Sequence, residues 1–272
     1  MVLAMLGFAI EDSLIRIISS VIPFGQVLSL FGLGGALIFA LLCKLKKQQL
    51  FLAEVISRPM VLRMFFELIG RLFYSVSLIL MPISLVTLIL QATPIFVVTG
   101  AAFLFKEAVG VLRWIAILSG LLGVVFIIQP TSESFSPYVI FAILGMLGFA
   151  GRDLGSRAAS PIISDNHLGF YGFVSVTLAG LIYSGWVGAA YVPLSIRTLI
   201  YILSLIFVGC FSYSALMRAM RIGDVSFVTP FGYTRILFGE AVTIWLIIGS
   251  LIIIGSGLFL LSPPTQKKNL FG

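Results

Sequence analysis

Glu11, Asp12 and Arg16 stand close together in MLGFAIEDSLIR, a stretch that is otherwise almost wholly apolar. Arg63, Glu67 and Arg71 recur at i, i+4 and i+8 in a second apolar stretch, and Arg152, Asp153 and Arg157 mark a third. An ionised group in hydrocarbon is costly, so such residues usually face a partner or a polar cavity. Two chemistries fit these residue types at these spacings. Side chains four apart share a helical face, so Asp12 with Arg16, and Asp153 with Arg157, can neutralise each other locally. Alternatively they converge on a cavity, where carboxylates and guanidiniums bind a polar solute or carry a proton. Glu11 is about 100° round a helix from Asp12, so the two cannot point equally at one spot, and Asp12 is the one expected to face a cavity. The Arg63–Glu67–Arg71 stripe is about 12 Å long at 1.5 Å per residue. Arg63 is read as snorkelling to the surface, whereas Glu67 and Arg71 are expected at the cavity, with Arg71 facing the carboxylates of the first stretch.

Other polar groups are fewer. Gln91, Thr93 and Pro94 sit in the middle of an apolar run. Proline removes an intrahelical hydrogen bond, so a bend is expected there, serving either a gate or packing alone. Tyr171 and Tyr213 either line a cavity or sit in an interfacial belt. Glu107 and Glu240 stand at sharp turns, where a carboxylate favours the following helix N-terminus. The single histidine, His167, excludes a multi-histidine metal site, and Cys43 and Cys210 are read as small hydrophobes. There is no phosphate-binding loop and no G-x-S-x-G elbow, so no cofactor and no catalytic residue is expected, and an intramembrane enzyme is disfavoured.

The elements that position these groups follow from composition. Of 272 residues, 60% are hydrophobic and 10% charged, against roughly 25% charged in a soluble domain. So much apolar surface cannot be hidden inside one chain, which makes this an all-α, multi-pass membrane protein. The net charge of +7 does not indicate nucleic acid, because the basic residues sit in short clusters between apolar runs. A membrane helix needs about 20 apolar residues. Ten spans are expected, near 2–21, 25–43, 61–81, 83–105, 109–129, 138–156, 168–188, 197–217, 225–238 and 241–261, with a tail at 262–272. Lys44, Lys46, Lys47 and Arg58, then Lys106 and Arg113, Arg157, Arg218 and Arg221, and Lys267 and Lys268 fall in alternate connections. By the positive-inside rule both termini are expected to be cytoplasmic.

The chain also repeats. MLGFAGRDLGSR at 146–157 shares M-L-G-F-A-x-x-D-x-x-x-R with MLGFAIEDSLIR at 5–16. Thr93-Pro94 followed by Glu107 is echoed by Thr229-Pro230 followed by Glu240. Residues 1–130 and 138–261 thus read as two five-span units. Five is odd, so the units are expected to be inverted relative to each other, the common plan of secondary transporters with a site near the midplane.

The paired M-L-G-F-A-x-x-D starts, L-Q-A-T-P (Leu90–Pro94) leading to Lys106-Glu107, and G-D-V-S-F-V-T-P-F-G-Y-T-R (Gly223–Arg235) leading to Gly239-Glu240 resemble the drug/metabolite transporter superfamily, EamA type. The resemblance implies ten spans as five plus five, a small organic metabolite as substrate, and a bacterial inner-membrane location. Arg235 matches the family's ninth-span arginine, and Glu107 and Glu240 its turn glutamates. Two departures stand out. Gly232 occupies a position where relatives usually carry arginine, and only Ile236, Leu237 and Phe238 separate Arg235 from Gly239, which shortens the ninth span. A homologue without transport activity is the alternative that this shortening raises. The expected central cavity comprises Glu11, Asp12, Glu67, Arg71, Gln91, Arg152, Asp153, Tyr171, Tyr213, Tyr233 and Arg235. Mixed acids and arginines point to a polar or zwitterionic solute, with the lipid bilayer as surroundings. Proton coupling through Asp12 or Glu67, and a homodimer, are left open.

Overall fold

A computed structural model describes residues 1–81, 83–107, 109–128 and 137–222, with a few positions between 248 and 255. The expected ninth and tenth spans, with Tyr233, Arg235, Glu240 and the tail, lie outside the described residues apart from those few positions. The described part is helical, without a strand: α1 (Val2–Ser19), α2 (Phe24–Leu45), α3 (Arg58–Leu80), α4 (Ile83–Leu90), α5 (Thr93–Leu104), α6 (Val111–Ile128), α7 (Val139–Ala158), α8 (Asp165–Val187) and α9 (Ile196–Ile222).

Among the described residues, α2, α7, α8 and α9 are long and apolar enough to cross a membrane. Helix α1 has 18 residues and α3 has 23, so length does not distinguish them. What sets them apart is charge, because they carry the Glu11 and Arg63–Glu67–Arg71 groups.

The run expected as one span at 83–105 is two short helices, α4 and α5, meeting at Gln91 and Ala92. Pro94 has no N–H to offer the carbonyl of Leu90, its natural i−4 partner. The Thr93 hydroxyl donates to that same carbonyl instead. The Thr-Pro pair thus breaks the helix and satisfies the acceptor that the break would orphan.

Glycines set the helix pairing. Helix α2 packs on α8, α3 on α7 and α1 on α9. At the α3–α7 crossing a Cβ on Gly148 would lie 2.5 Å from the Cα of Gly70. At the α1–α9 crossing a Cβ on Gly7 would lie 2.0 Å from Ser212 Oγ. Gly7 and Gly148 are the same residue of the repeated M-L-G-F-A stretch, and each sits where its helix crosses a neighbour too closely for a side chain. Small residues at such crossings let helices pack without a hydrophobic driving force. Behind these contacts a ring cluster of Phe31, Phe39, Phe173 and Tyr213 fills the space between α2, α8 and α9.

One end of the bundle is tied by a polar knot. Ser164 caps α8 and forms a capping box with His167. His167 Nδ1 accepts from the Ser164 N–H at 3.2 Å, and Nε2 bonds the carbonyl of Gln49 at 2.8 Å. Asn166 Nδ2 donates to Gln48 Oε1 at 3.0 Å. The segment after α2 is thereby fastened to the start of α8.

Candidate functional site

The stripe on α3 faces α7, and α7 meets it with glycines. A Cβ on Gly155 would approach the Cβ of Arg63 to 2.8 Å, and one on Gly151 would meet the ring of Phe66 at 2.5 Å. The Gly148, Gly151 and Gly155 series therefore does more than pack helices. It clears the space into which the α3 side chains extend.

Glu67 is the hub. It is fully buried. Its Oε1 lies 3.7 Å from Arg71 Nε on the same helix and 3.6 Å from Arg152 Nη1 on α7. Its Oε2 accepts from the Tyr213 hydroxyl of α9 at 2.7 Å. Arg71 reaches across to α1, its Nη1 standing 3.5 Å from Glu11 Oε1. Arg152 grips its neighbour Asp153, with Nε and Nη2 each 2.8 Å from Oδ1. Arg63 donates to Ser156 Oγ at 2.9 Å, to the carbonyl of Leu168 at 2.7 Å and to the Tyr213 hydroxyl. Three guanidiniums (Arg63, Arg71, Arg152) thus stand among three carboxylates (Glu11, Glu67, Asp153), and the formal charge of the described cluster is zero. Desolvating even one of these ions costs several kcal/mol, which explains why every charge sits in a mutual network.

Beside the network is a cavity of about 100 Å³. Glu11, Arg71, Arg152 and Asp153 supply its charged wall. Phe8, Phe149, Tyr74 and Pro94 supply the rest, together with Thr93 at the α4–α5 break and apolar residues including Met5 and Leu216. The ring of Phe149 carries both arginines, with guanidinium carbons 5.7 Å (Arg71) and 5.0 Å (Arg152) from its centroid. Cation–π contacts at this range favour keeping the guanidiniums over the ring.

The structure brings together Glu11, Glu67, Arg71, Arg152, Asp153 and Tyr213. It does not bring Asp12, Gln91, Tyr171 or Glu107 to the same place. Asp12 is half-buried and absent from the cavity wall, where Glu11 stands instead. The reason is helix phase: Gly7 faces α9, and Glu11 is one turn further along that same face. Asp153 pairs with Arg152, not with Arg157, whose Nη1 donates to the carbonyl of Arg221 at 2.8 Å. Gln91 is buried at the α4–α5 break, and its Nε2 has no hydrogen-bond partner among the described residues. The Tyr171 hydroxyl donates to the carbonyl of Leu50 at 3.1 Å, away from the cluster. Glu107 lies in the α5–α6 turn, directly after Lys106, whose φ is +54°.

Sequence reasoning missed two groups. Arg63, read as snorkelling, has no exposed surface and joins α3 to α7, α8 and α9. The aromatic wall was also missed, although a signal was present: Phe8 and Phe149 are the shared phenylalanine of the two M-L-G-F-A copies.

Fold and site together define a multi-pass helical membrane protein with a charge-neutral polar centre beside a small cavity. Its relatives give this class more content. No protein-family model matches the chain. The chain is similar to the S-adenosylmethionine uptake transporter of Rickettsia prowazekii (strain Madrid E), at 24% identity over 231 residues, 79% of this chain and 75% of that protein. It is similar to the protein of the same name from Rickettsia conorii, at 24% identity over 230 residues, 78% and 75% of the two chains. It also resembles the riboflavin transporter of Vibrio cholerae serotype O1, at 24% identity over 191 residues, 66% and 63% of the two chains. A solved crystal structure shares the fold, with a TM-score of 0.79 at 18% identity, covering 94% of this chain and 93% of its own. These likenesses support a membrane transporter of a small metabolite, and the curated relatives are transporters by name.

Proposed function

We propose that the chain is a secondary transporter of a small polar metabolite, working by alternating access between two inverted five-helix halves, 1–130 and 138–261. The carrying observation is the neutral set of buried ionised side chains, drawn from both halves, that meets at one cavity. A cluster held at zero net charge accepts a zwitterion or dipolar solute without leaving an uncompensated ion in hydrocarbon. S-adenosylmethionine, named for the Rickettsia relatives, carries a zwitterionic amino-acid head beside its sulfonium charge, and riboflavin is a polar solute.

The helix pairing supports the inverted arrangement. If α7 is the counterpart of α1, and α9 of α3, a two-fold in the membrane plane exchanges the α3–α7 pair with the α1–α9 pair and maps α2–α8 onto itself. The matched crossing glycines, Gly7 and Gly148, agree with that exchange. Contacts between the halves then carry the switch. Arg152–Glu67 ties α7 to α3, and Tyr213–Glu67 ties α9 to α3. A solute that pairs with Arg152 competes with its contact to Glu67 and loosens α7 from α3. The α4–α5 break beside the cavity supplies a point of bending. The basic connections support an orientation with both termini cytoplasmic, and the bacterial relatives support an inner-membrane location.

The test is uptake and efflux in proteoliposomes, using S-adenosylmethionine, riboflavin, amino acids and vitamins as solutes. Protein-dependent movement of at least one solute, abolished in Glu67→Gln, is expected. Should no solute move across protein-containing vesicles beyond the empty-vesicle rate, the proposal fails.

A further inference from the structure

Two guanidiniums at the cavity wall are only partly engaged. Arg71 Nε is buried without a hydrogen-bond partner among the described residues, and the two carboxylates near Arg71 stand off at 3.5 and 3.7 Å. Arg152 commits Nε and Nη2 to Asp153 but leaves Nη1 at 3.6 Å from Glu67. Charge-assisted hydrogen bonds between guanidinium and carboxylate normally close to about 2.7–2.9 Å. So Arg71 and Arg152 are held by the same carboxylate, Glu67, at ion-pair range and without hydrogen-bond contact. Both also lie over the one ring of Phe149, which brings the two forks together on one side of the cavity. Glu11, a carboxylate, lines the same cavity from α1.

Resting on the transporter reading above, we infer that Arg71 and Arg152 form a two-guanidinium clamp for the carboxylate of an amino-acid head group, whose ammonium meets Glu11. Glu67, which does not line the cavity, is a positioning residue: it holds the two forks convergent from behind. The neutrality of the cluster selects the zwitterionic head over a bare anion, because a lone carboxylate would leave Glu11 and Asp153 facing added negative charge. The cavity, about 100 Å³, has room for such a head group, and the apolar wall of Phe8, Met5 and Leu216 receives what the head carries. The site is therefore specific for the head group and tolerant of the side chain.

The experiment measures flux into proteoliposomes for S-adenosylmethionine and the standard amino acids, each against its decarboxylated amine, with riboflavin as a polar solute lacking the head group. For at least one amino-acid-headed solute, the parent compound is expected to move about tenfold or more faster than its decarboxylated form, the worth of one charge-assisted hydrogen-bond pair. Arg152→Lys, which keeps the charge and loses the fork, is expected to raise KM for that solute with the maximal rate less affected, and the wild-type comparison of solutes needs no variant to fold. If riboflavin moves and amino-acid-headed solutes do not, or if the decarboxylated forms move equally well, the clamp is refuted while the transporter reading stands. If nothing moves, the transporter reading itself falls and the clamp falls with it.

Discussion

Replacing Gly148 with alanine adds one methyl group where α7 crosses α3. The new Cβ would lie 2.5 Å from Gly70 Cα, 2.6 Å from Gly70 N and 3.0 Å from the carbonyl oxygen of Phe66. All three are backbone atoms, so no side-chain rotation relieves the contact and the helices must part. Over-packing costs about 1–3 kcal/mol, and a backbone-to-backbone clash belongs at the upper end, about 2–3 kcal/mol. Alanine's better helix propensity returns about 1 kcal/mol, so the net loss is about 1–2 kcal/mol. In a chain of this size that lowers Tm by about 2–8 °C. Gly185→Ala is the matched control, since nothing lies within 4 Å of its added Cβ. The assay is a thermal melt of detergent-purified protein followed by size-exclusion chromatography. Gly148→Ala should melt below the parent and Gly185→Ala at or above it. A Gly148→Ala protein as stable as the parent would refute the close backbone contact between α3 and α7, and with it the space argued for the α3 stripe.

Three further outcomes are expected. Glu67→Gln leaves Arg71 and Arg152 without their shared counter-charge, and breaking a buried pair costs about 3–5 kcal/mol; the yield of monodisperse protein should fall sharply, and an unchanged yield and Tm would show that the network contributes little. Pro94→Ala restores an N–H for the Leu90 carbonyl, so α4 and α5 should join with Tm held or raised while solute flux falls; flux at the parental rate would exclude the break as a hinge. His167→Ala removes the capping box and the bond to Gln49, a loss of about 1 kcal/mol or more, and trypsin should cleave after the exposed Lys44, Lys46 and Lys47 faster than in the parent, equal cleavage rates counting against the knot.

Helix positions were legible because hydropathy reports burial in lipid directly, and the starts of α2 and α8 fall within a few residues of the expected spans. The α4–α5 break was half legible: Pro94 announced a bend, while the Thr93 hydroxyl as substitute donor is a matter of geometry that spacing alone does not give. The choice of Glu11 over Asp12 was not legible. Adjacent residues differ by a helical phase, and that phase is fixed by Gly7 meeting α9, a contact 205 residues away in the chain. Arg63 misled for a related reason. Near a helix start it looks able to reach water, and its burial depends on Ser156, Leu168 and Tyr213 closing over it from three other helices. For Glu11 and for Arg63, the deciding partner lay far along the sequence.

The polar face of α3 has no match on α9. Arg63, Glu67 and Arg71 fall within α3, yet no acidic or basic residue lies between Arg197 and Arg218 of α9, where serines such as Ser212 stand instead. Inverted halves of identical composition would have two end states of equal energy. If the halves exchange as proposed, the Arg63–Glu67–Arg71 stripe belongs to one side of the exchange, so the two states would bury it differently and the resting population would be tilted toward one. Such a tilt cannot change the final distribution of solute, which the gradients fix. It shows instead as unequal half-saturation at the two membrane faces, so a vesicle experiment that resolves the two orientations should measure two different KM values for one solute.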